Sequence, residues 1–587
     1  MERPFNVMNN FAKVVNSNIK DVSFFDVIVF ALVCVAMLVR MHFAIDFTDE
    51  SWYVAEPFLV ANGAIPYVNN WTQTPGFTVP LAFFYKMFCG INGGTEGIFL
   101  FSRLLYLGWI SSISLLMFIL VRRYLFSEMP LLAFAMFPLL NINSLYAINY
   151  NSIGVVYLAL VLCLLCPVFL KKTTTALYPL VSGIVIARAI IGTPVVILPW
   201  VAISVVLFTI NKRALVYYLI GNCAMAIFVI GGCVLLSDTQ SFYNGLSTCV
   251  NDLYYFKLSS DESFRDKILS IGKFFIPSLI VFCLIFIAKI KTEVFFEKWG
   301  YRILAVGIVC GLFLAADDIG IKKIAHFTWF IPFVLKYIGG HTNERMREIN
   351  LACFVTLCAA SSYVFAACVD IHDGFLHRTY WFLFPAIINL YLLYKCGVEK
   401  GIYKLIQYKT VIAGYIVLLI FINYANVYRD EGIYDLDTEV ASGLWKGIYT
   451  TSERADAVVG IEKVLNSSTS ENDDVLVLDW ASYGYMMAHG NACAPTALDS
   501  MCFLYRLNNP DVMFKYYMFE GKVPSKIVYI DKGGGELMSI EVDGWKFNDF
   551  VNAGYILKED IENIGFRVRV YDLTDSVKAW KEVKRNV

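Results

Sequence analysis

Charged residues are scarce in this sequence. Asp, Glu, Lys and Arg make up 17% of the 587 residues, and hydrophobic residues make up 58%. Soluble domains average about 25% charged and about 45–50% apolar residues. The chain also lacks a basic patch with interleaved aromatic residues, so nothing in it indicates a nucleic-acid partner. The composition predicts a polytopic membrane protein.

A cleavable signal peptide is missing as well. The first apolar run extends from about residue 22 to Phe43 and contains no Ala-x-Ala cleavage site. Roughly 20 residues are enough to cross a bilayer and too many for the core of a typical signal peptide. We therefore predict that this run is a retained transmembrane helix.

The sequence has neither a disulfide framework nor a phosphate-binding loop. Most of its 15 cysteines lie inside apolar runs, where a small packing role is favoured. Cys493 and Cys502 lie in the hydrophilic tail and could pair if the tail faces an oxidising compartment. The stretch Lys532-Gly533-Gly534-Gly535-Glu536 lacks the Lys-Ser/Thr of a P-loop, so a flexible loop is favoured.

What the chain does contain is a series of apolar runs long enough to span a bilayer, which predicts about thirteen transmembrane helices. They lie at about 22–43, 98–121, 129–148, 152–170, 176–191, 193–210, 214–236, 269–289, 301–316, 324–340, 349–369, 379–395 and 409–428. Alternate connections carry the basic residues, as at Arg122-Arg123 and Lys171-Lys172, so the positive-inside rule predicts a cytoplasmic N-terminus. An odd number of crossings then puts the loop 44–97 and the tail on the same outer side.

The tail differs in composition from the rest of the chain. Its segments 474–479 and 525–531 are short and apolar, 566–571 alternates, and 454–465 has helical spacing. We therefore predict two domains: a transmembrane domain at 1–428, and an extracytoplasmic mixed α/β domain at 429–587.

The first outer loop, 44–97, is longer than the roughly 12–15 residues beyond which loops are usually functional or disordered. Its acidic pair Asp49-Glu50 lies beside aromatic residues just after the first apolar run. Residues 51–63 have apolar residues at helical spacing, and 75–88 is aromatic and amphipathic enough to lie in the membrane interface. We predict that the loop holds both acids near the lipid headgroups.

Three stretches of this loop carry a family resemblance. Asp49-Glu50-Ser51-Trp52-Tyr53, residues 59–67 and Pro75-Gly76 resemble the first outer loop of GT-C glycosyltransferases. The similarity is closest to the branch that contains aminoarabinose transferases and protein O-mannosyltransferases. It implies a GT-C fold that transfers one sugar from a polyprenyl-phosphate donor to an outer lipid, glycan or protein acceptor.

The resemblance also implies roles for single residues. Asp49 would be the general base of an inverting attack, and Glu50 would orient the acceptor or a metal. The positions expected to bind the donor phosphate are Arg103, Arg188, His377, Arg378 and Tyr380, and those expected on the acceptor side are Trp52, Tyr53 and Tyr67. Arginine suits a phosphate, and within a membrane span it is usually retained for function. One carboxylate suffices because the phosphate leaving group needs no general acid.

Several alternatives stay open. Two acids and two imidazoles in the outer loops could hold a divalent metal ion, although their spacing assigns no metal ligand. An oligosaccharyltransferase would carry Trp-Trp-Asp-Tyr-Gly in the tail, whereas the nearest string here is Asp479-Trp480-Ala481-Ser482-Tyr483-Gly484. A polyprenyl-lipid flippase or transporter would share the composition but would not need the long acidic loop. We expect a bacterial cytoplasmic membrane protein, with the sugar and the acceptor open.

Overall fold

The computed structural model describes residues 22–72, 75–140, 145–251, 328–338, 341–369, 380–399, 401, 405–478, 481–497, 511–531, 546–563 and 565–587. The predicted spans at 269–289 and 301–316 lie outside these residues, as do the glycine-rich stretch at 532–536 and Cys502. Cys493 is buried.

Helices dominate the described chain. In chain order they are α1 (Phe24–Arg40), α2 (Asp49–Ala61), α3 (Thr78–Asn92), α4 (Ile98–Tyr124), α5 (Tyr150–Phe169), α6 (Leu177–Gly192), α7 (Ile197–Ile210), α8 (Lys212–Leu236), α9 (Thr239–Asn251), α10 (Ile331–Ile338), α11 (Asn343–Val369), α12 (Leu383–Glu399), α13 (Leu405–Ala425), α14 (Ser452–Ser468), α15 (Gly484–Met487), α16 (Asp511–Glu520), α17 (Lys546–Gly554) and α18 (Ser576–Asn586). Within the described residues, 6 helices are long and apolar enough to cross a membrane. This agrees with a membrane protein, and the total of about thirteen spans stays a prediction.

The first and last helices of the bundle run parallel to each other. At their N-terminal ends, Lys409 Nζ of α13 lies 3.0 Å from Asp26 Oδ1 of α1. At their C-terminal ends, Arg40 Nε donates to the carbonyl of Asn423 at 2.8 Å. An odd number of crossings requires this parallel arrangement, because the first and last spans must then cross in the same direction.

One predicted span, 129–148, is wrong as a helix. The structure has a short 3-10 helix at Leu131–Met136, followed by turns, and every residue from 129 to 140 is buried. Pro138 explains the difference, because it lies inside the predicted helix, where proline lacks an N–H donor and clashes with the preceding helical turn. An apolar run of spanning length predicts burial but not helix.

This segment runs alongside α4 in the opposite direction. The hydroxyl of Ser114 donates to the carbonyl of Phe134 at 2.7 Å, and the hydroxyl of Tyr106, nearer the start of α4, donates to the carbonyl of Leu140. Non-helical backbone is tolerated at membrane depth only where protein surrounds it. Here side chains of α4 bind carbonyls that a helix would have bonded internally.

The tail contains the predicted α/β region. Its strands are β1 (Thr438–Glu439), β2 (Tyr449–Thr450), β3 (Asp474–Leu478), β4 (Asn491–Ala492), β5 (Lys526–Asp531), β6 (Tyr555–Asn563) and β7 (Phe566–Leu573). Five of them form a sheet in the order β4-β3-β5-β7-β6. β3 pairs with β4 and β5 in parallel, and β7 is antiparallel to both of its neighbours. The three segments predicted as strands and the predicted helix at 454–465 are confirmed.

The outer loop and the tail share one hydrophobic core. Val54 and Leu59 of α2 belong to the same buried cluster as the strands and helices of the tail. Phe99, at the start of α4, stacks on Trp445 of the tail with ring centroids 4.3 Å apart. The loop that carries Asp49 therefore packs directly against the tail.

Candidate active site at the junction of the outer loop and the tail

The turn before α2 is held by Asp46. Its carboxylate accepts hydrogen bonds from the backbone N–H of Thr48 at 3.1 Å and of Glu50 at 2.9 Å. Carboxylates suit this place because the first N–H groups of a helix have no partner within the helix. Asp46 thereby fixes the direction in which the next acid, Asp49, leaves the helix.

Asp49 is the first residue of α2 and lies where the last helix of the bundle leads into the tail. The Tyr428 hydroxyl donates to Asp49 Oδ2 at 2.8 Å, and Arg429 Nη1 is 3.4 Å from the same oxygen. The Asp49 side chain is 25% exposed. Burial and the nearby Asp49 carboxylate raise the pKa of Tyr428, so its hydroxyl stays protonated as a donor. A hydroxyl donor and an arginine therefore lie beside the Asp49 carboxylate.

Glu50 is committed to a buried ion pair. Its two oxygens accept from Arg103 Nε and Nη2, each at 2.6 Å, and the side chains of Glu50 and Arg103 are 2% and 4% exposed. The remaining N–H groups of Arg103 donate to the carbonyls of Met41, Phe43 and Ala44. These contacts occupy all five donors of Arg103, and each oxygen of Glu50 accepts one of them, while the ligand-binding roles of both residues stay predictions. The pair braces the loop.

Arg188 lies near the end of α6, and its guanidinium uses only some of its N–H donors within the described chain. Its Nη2 donates to the carbonyl of Gly76 at 3.0 Å, and its guanidinium carbon lies 5.7 Å from the centre of the Tyr157 ring. Its Nε is buried and has no hydrogen-bond partner among the residues that the structure describes. A buried donor without a partner costs free energy, and an anionic ligand would satisfy it. This geometry fits the predicted role of Arg188 in phosphate binding.

Aromatic rings connect Asp49 to Arg188. Trp52 and Tyr53, one turn along α2, lie edge-on to Phe77 with centroid distances of 6.2 and 6.0 Å. The residue before Phe77 is Gly76, whose carbonyl binds Arg188. Trp52 and Tyr53 also contact Tyr150, the first residue of α5. The structure therefore brings Asp49, Trp52, Tyr53 and Arg188 into one contiguous group.

Gly76 allows this close approach. A Cβ added there would lie 2.3 Å from the backbone nitrogen of Gly192 at the end of α6. That distance is far below van der Waals contact, so a larger residue would force the loop away from α6. Gly76 is therefore required by the contact between loop and bundle.

The other predicted residues make different contacts or lie outside the described chain. Tyr380 is 4% exposed and belongs to the same hydrophobic cluster as Tyr53 and Phe77. Tyr67 packs edge-on against Phe242 of α9, with ring centroids 6.0 Å apart. His377 and Arg378 lie in 370–379, outside the described residues.

Two arginines near Asp49 were missed by the sequence reasoning. Arg429 lies 3.8 Å from Asp46 Oδ1 as well as 3.4 Å from Asp49 Oδ2. Arg40 is buried at the end of α1 and lies 5.2 Å from the centre of the Tyr146 ring. Both arginines stand at the ends of apolar runs, which is the signal that could have identified them.

A buried glutamate, Glu56, was also missed. It lies seven residues after Asp49, and therefore on the same side of α2. Its side chain is fully buried and accepts hydrogen bonds from the loop and from the tail. An acid inside a stretch of apolar helical spacing was the available signal.

The described residues provide no set of ligands for the divalent metal ion that was considered as an alternative. Among the residues that the structure describes, no group of three or more His, Cys, Asp and Glu side chains could hold a metal ion. Asp46 and Asp49 both face Arg429. The histidines considered for a metal site lie within 370–379, beyond the described ranges.

Comparison with known proteins identifies no relative. No protein-family model matches the chain, and no curated protein matches it.

Proposed function

We propose that the chain is a membrane glycosyltransferase that moves a single sugar from a polyprenyl-phosphate donor to an acceptor hydroxyl. The observation that carries this proposal is the difference between the two adjacent acids. Glu50 is locked to Arg103, whereas Asp49 keeps a partly exposed carboxylate beside Arg429. A base must be reachable by the hydroxyl whose proton it takes, and Asp49 meets that requirement.

The proposed transfer needs only the Asp49 carboxylate as base and the polyprenyl phosphate as leaving group. The acceptor oxygen attacks the anomeric carbon from the side opposite the phosphate, and its proton passes to the Asp49 carboxylate. The bond between the anomeric carbon and the phosphate oxygen breaks, and its electron pair leaves with the polyprenyl phosphate. The anomeric configuration is inverted. Because phosphate is a weak base, the leaving group departs without a general acid.

The surroundings support a charged lipid donor. Arg188 offers a buried donor that has no partner among the described residues, and it binds the carbonyl of Gly76, next to the Phe77 ring that contacts Trp52 and Tyr53. Arginine binds phosphate through fixed charge and paired N–H groups. The helix α3 exposes Phe83, Met87 and Ile91 on one side, which suits contact with lipid.

The test is sugar transfer by the purified protein in lipid vesicles that contain a labelled polyprenyl-phosphate sugar. We expect Asp49→Asn to lower kcat by about 100-fold or more, since a positioned base contributes roughly 10²–10⁴-fold. Asp435→Asn is the matched control, because Asp435 is an exposed acid of the tail. Full transfer activity in Asp49→Asn would remove Asp49 as the base.

The same assay separates the other readings. With a polyprenyl-linked oligosaccharide as the donor, a product larger by the whole oligosaccharide would replace single-sugar transfer by en bloc transfer. Movement of the labelled lipid across the vesicle without any transfer would replace the enzyme by a flippase or transporter.

A further inference from the structure

Glu56 is a carboxylate with four donors and no cation. Trp52 Nε1 lies 3.4 Å from Oε1, Asn70 Nδ2 lies 2.6 Å from Oε2, and the Ala497 N–H lies 3.2 Å from Oε1. The hydroxyl of Thr496 also donates to Oε1. Within the described chain no Lys, Arg or His pairs with it. Burial raises the pKa of Glu56, and the four hydrogen bonds oppose that shift.

These donors come from three separate parts of the molecule. Trp52 belongs to α2, Asn70 to the loop that follows, and Thr496 and Ala497 to the tail. The same junction is reinforced next to Glu56, where the backbone N–H of Trp71 donates to the carbonyl of Pro495 at 2.5 Å. A single side chain therefore joins the outer loop, the tail and an aromatic residue of the candidate site.

The position of Trp52 gives this junction a consequence for the site. Trp52 is one turn from Asp49, and its ring also contacts Tyr53, Phe77 and Tyr150. These contacts hold the faces and edges of the indole, while Glu56 binds its single polar atom. Because Nε1 is the only polar atom of the indole, this contact favours the ring rotation that turns Nε1 toward Glu56.

We propose that Glu56 is a positioning residue through which the tail segment 495–497 sets the orientation of Trp52 beside Asp49. The expected effect on acceptor binding rests on the proposed function. The coupling of the tail to Trp52 is independent of it. It predicts that a change in the tail alters the surroundings of an indole in the outer loop.

The coupling is tested by fluorine NMR on the full chain labelled with 5-fluorotryptophan. The resonance of Trp52, among 11 tryptophans, is assigned by its loss in Trp52→Phe. We expect Thr496→Val to shift this resonance, because the change removes one donor from Glu56 and conserves the side-chain shape. Thr496→Ser keeps the hydroxyl and should leave the resonance in place.

Thr469→Val is the matched control, because Thr469 is a buried threonine whose hydroxyl donates within the tail, to the carbonyl of Leu465. It should not move the Trp52 resonance. An unchanged resonance in Thr496→Val, or equal shifts in both variants, would overturn the proposal. If Thr496→Val fails to fold, Glu56→Gln gives the same readout, because it keeps the size of the side chain and removes the charge.

Kinetics then test the consequence for the acceptor. We expect Thr496→Val to raise the KM for the acceptor about three- to tenfold, the usual effect of one lost hydrogen bond, with the donor KM unchanged. A larger effect on the donor would overturn the acceptor assignment. A wild-type protein without transferase activity would overturn the proposed function, and the fluorine spectrum would still decide whether the tail positions Trp52.

Discussion

The arginines at the two ends of the helical bundle differ in how completely they are paired. At the end remote from the tail, Arg345 binds Glu348 and Glu399, and Lys395 lies 3.5 Å from Glu348. At the end near the tail, Glu50 and three backbone carbonyls take all five donors of Arg103, whereas the buried Nε of Arg188 has no hydrogen-bond partner within the described residues. Closed networks stabilise a fold, whereas an unsatisfied donor is more typical of a ligand site. Whether the donors of an arginine are all bonded is therefore a better guide to the candidate site than the number of charged residues.

The largest expected effect comes from breaking the closed pair near the tail. Arg103→Met leaves Glu50 buried without its cation, which should cost about 3–5 kcal/mol in the free energy of unfolding. Loss of the hydrogen bonds to three carbonyls adds to the damage. Thermal unfolding in detergent, followed by size-exclusion chromatography, measures the loss. A variant as stable as wild type would contradict the bracing role.

The comparison between the two ends is tested by the same substitution at each. Arg188→Met should weaken donor binding about 10- to 100-fold, the loss typical of hydrogen bonds to a charged group, and should leave thermal stability nearly unchanged. Arg345→Met should do the opposite: stability falls because Glu348 loses a partner, and donor affinity stays the same. Binding of a labelled polyprenyl phosphate measures the affinity. Unaltered donor binding in Arg188→Met would remove its phosphate role.

The smallest effect is expected at an exposed pair between loop and tail. Lys446 Nζ lies 3.1 Å from Glu96 Oε1, and both side chains are about half exposed. Exposed ion pairs contribute about 0–1 kcal/mol because water screens them. Lys446→Ala should therefore change the free energy of unfolding by less than about 0.5 kcal/mol. A larger loss would mean that surface charge, and not the shared core, holds the loop to the tail.

Much of the fold was predictable because the length and periodicity of the apolar runs indicate the helices and strands. The runs that became α4, α5, α8 and α13 are long and apolar, and β3 and β5 are short apolar segments. β6 was missed, because it is an edge strand in which exposed Lys558 and Glu562 interrupt the apolar pattern. The apolar pattern of the sequence reveals a helix or strand only where one side of that element is uniformly buried.

The site was less predictable, because its contacts join distant parts of the chain. Nothing around Glu50 indicates that Arg103, 53 residues later, binds both of its oxygens. The hydrogen bond from Thr496 to Glu56 joins residues 440 positions apart. The resemblance singled out Asp49 and Arg188, and their roles in catalysis stay predictions. Long-range pairing decides which charged groups are occupied and which remain available.

The non-helical segment beside α4 bears on the order in which the molecule can be assembled. A segment whose carbonyls depend on Ser114 and Tyr106 cannot be stable in lipid by itself. On its other side, Asn423 of α13 binds Tyr146 at 3.0 Å and reaches the carbonyl of Leu139 at 3.5 Å. Residue 423 is synthesised almost 300 residues after residue 139. The translocation machinery or other helices must therefore shelter this segment until α13 arrives, and a chain truncated before α13 should be recognised as unfinished by membrane quality control.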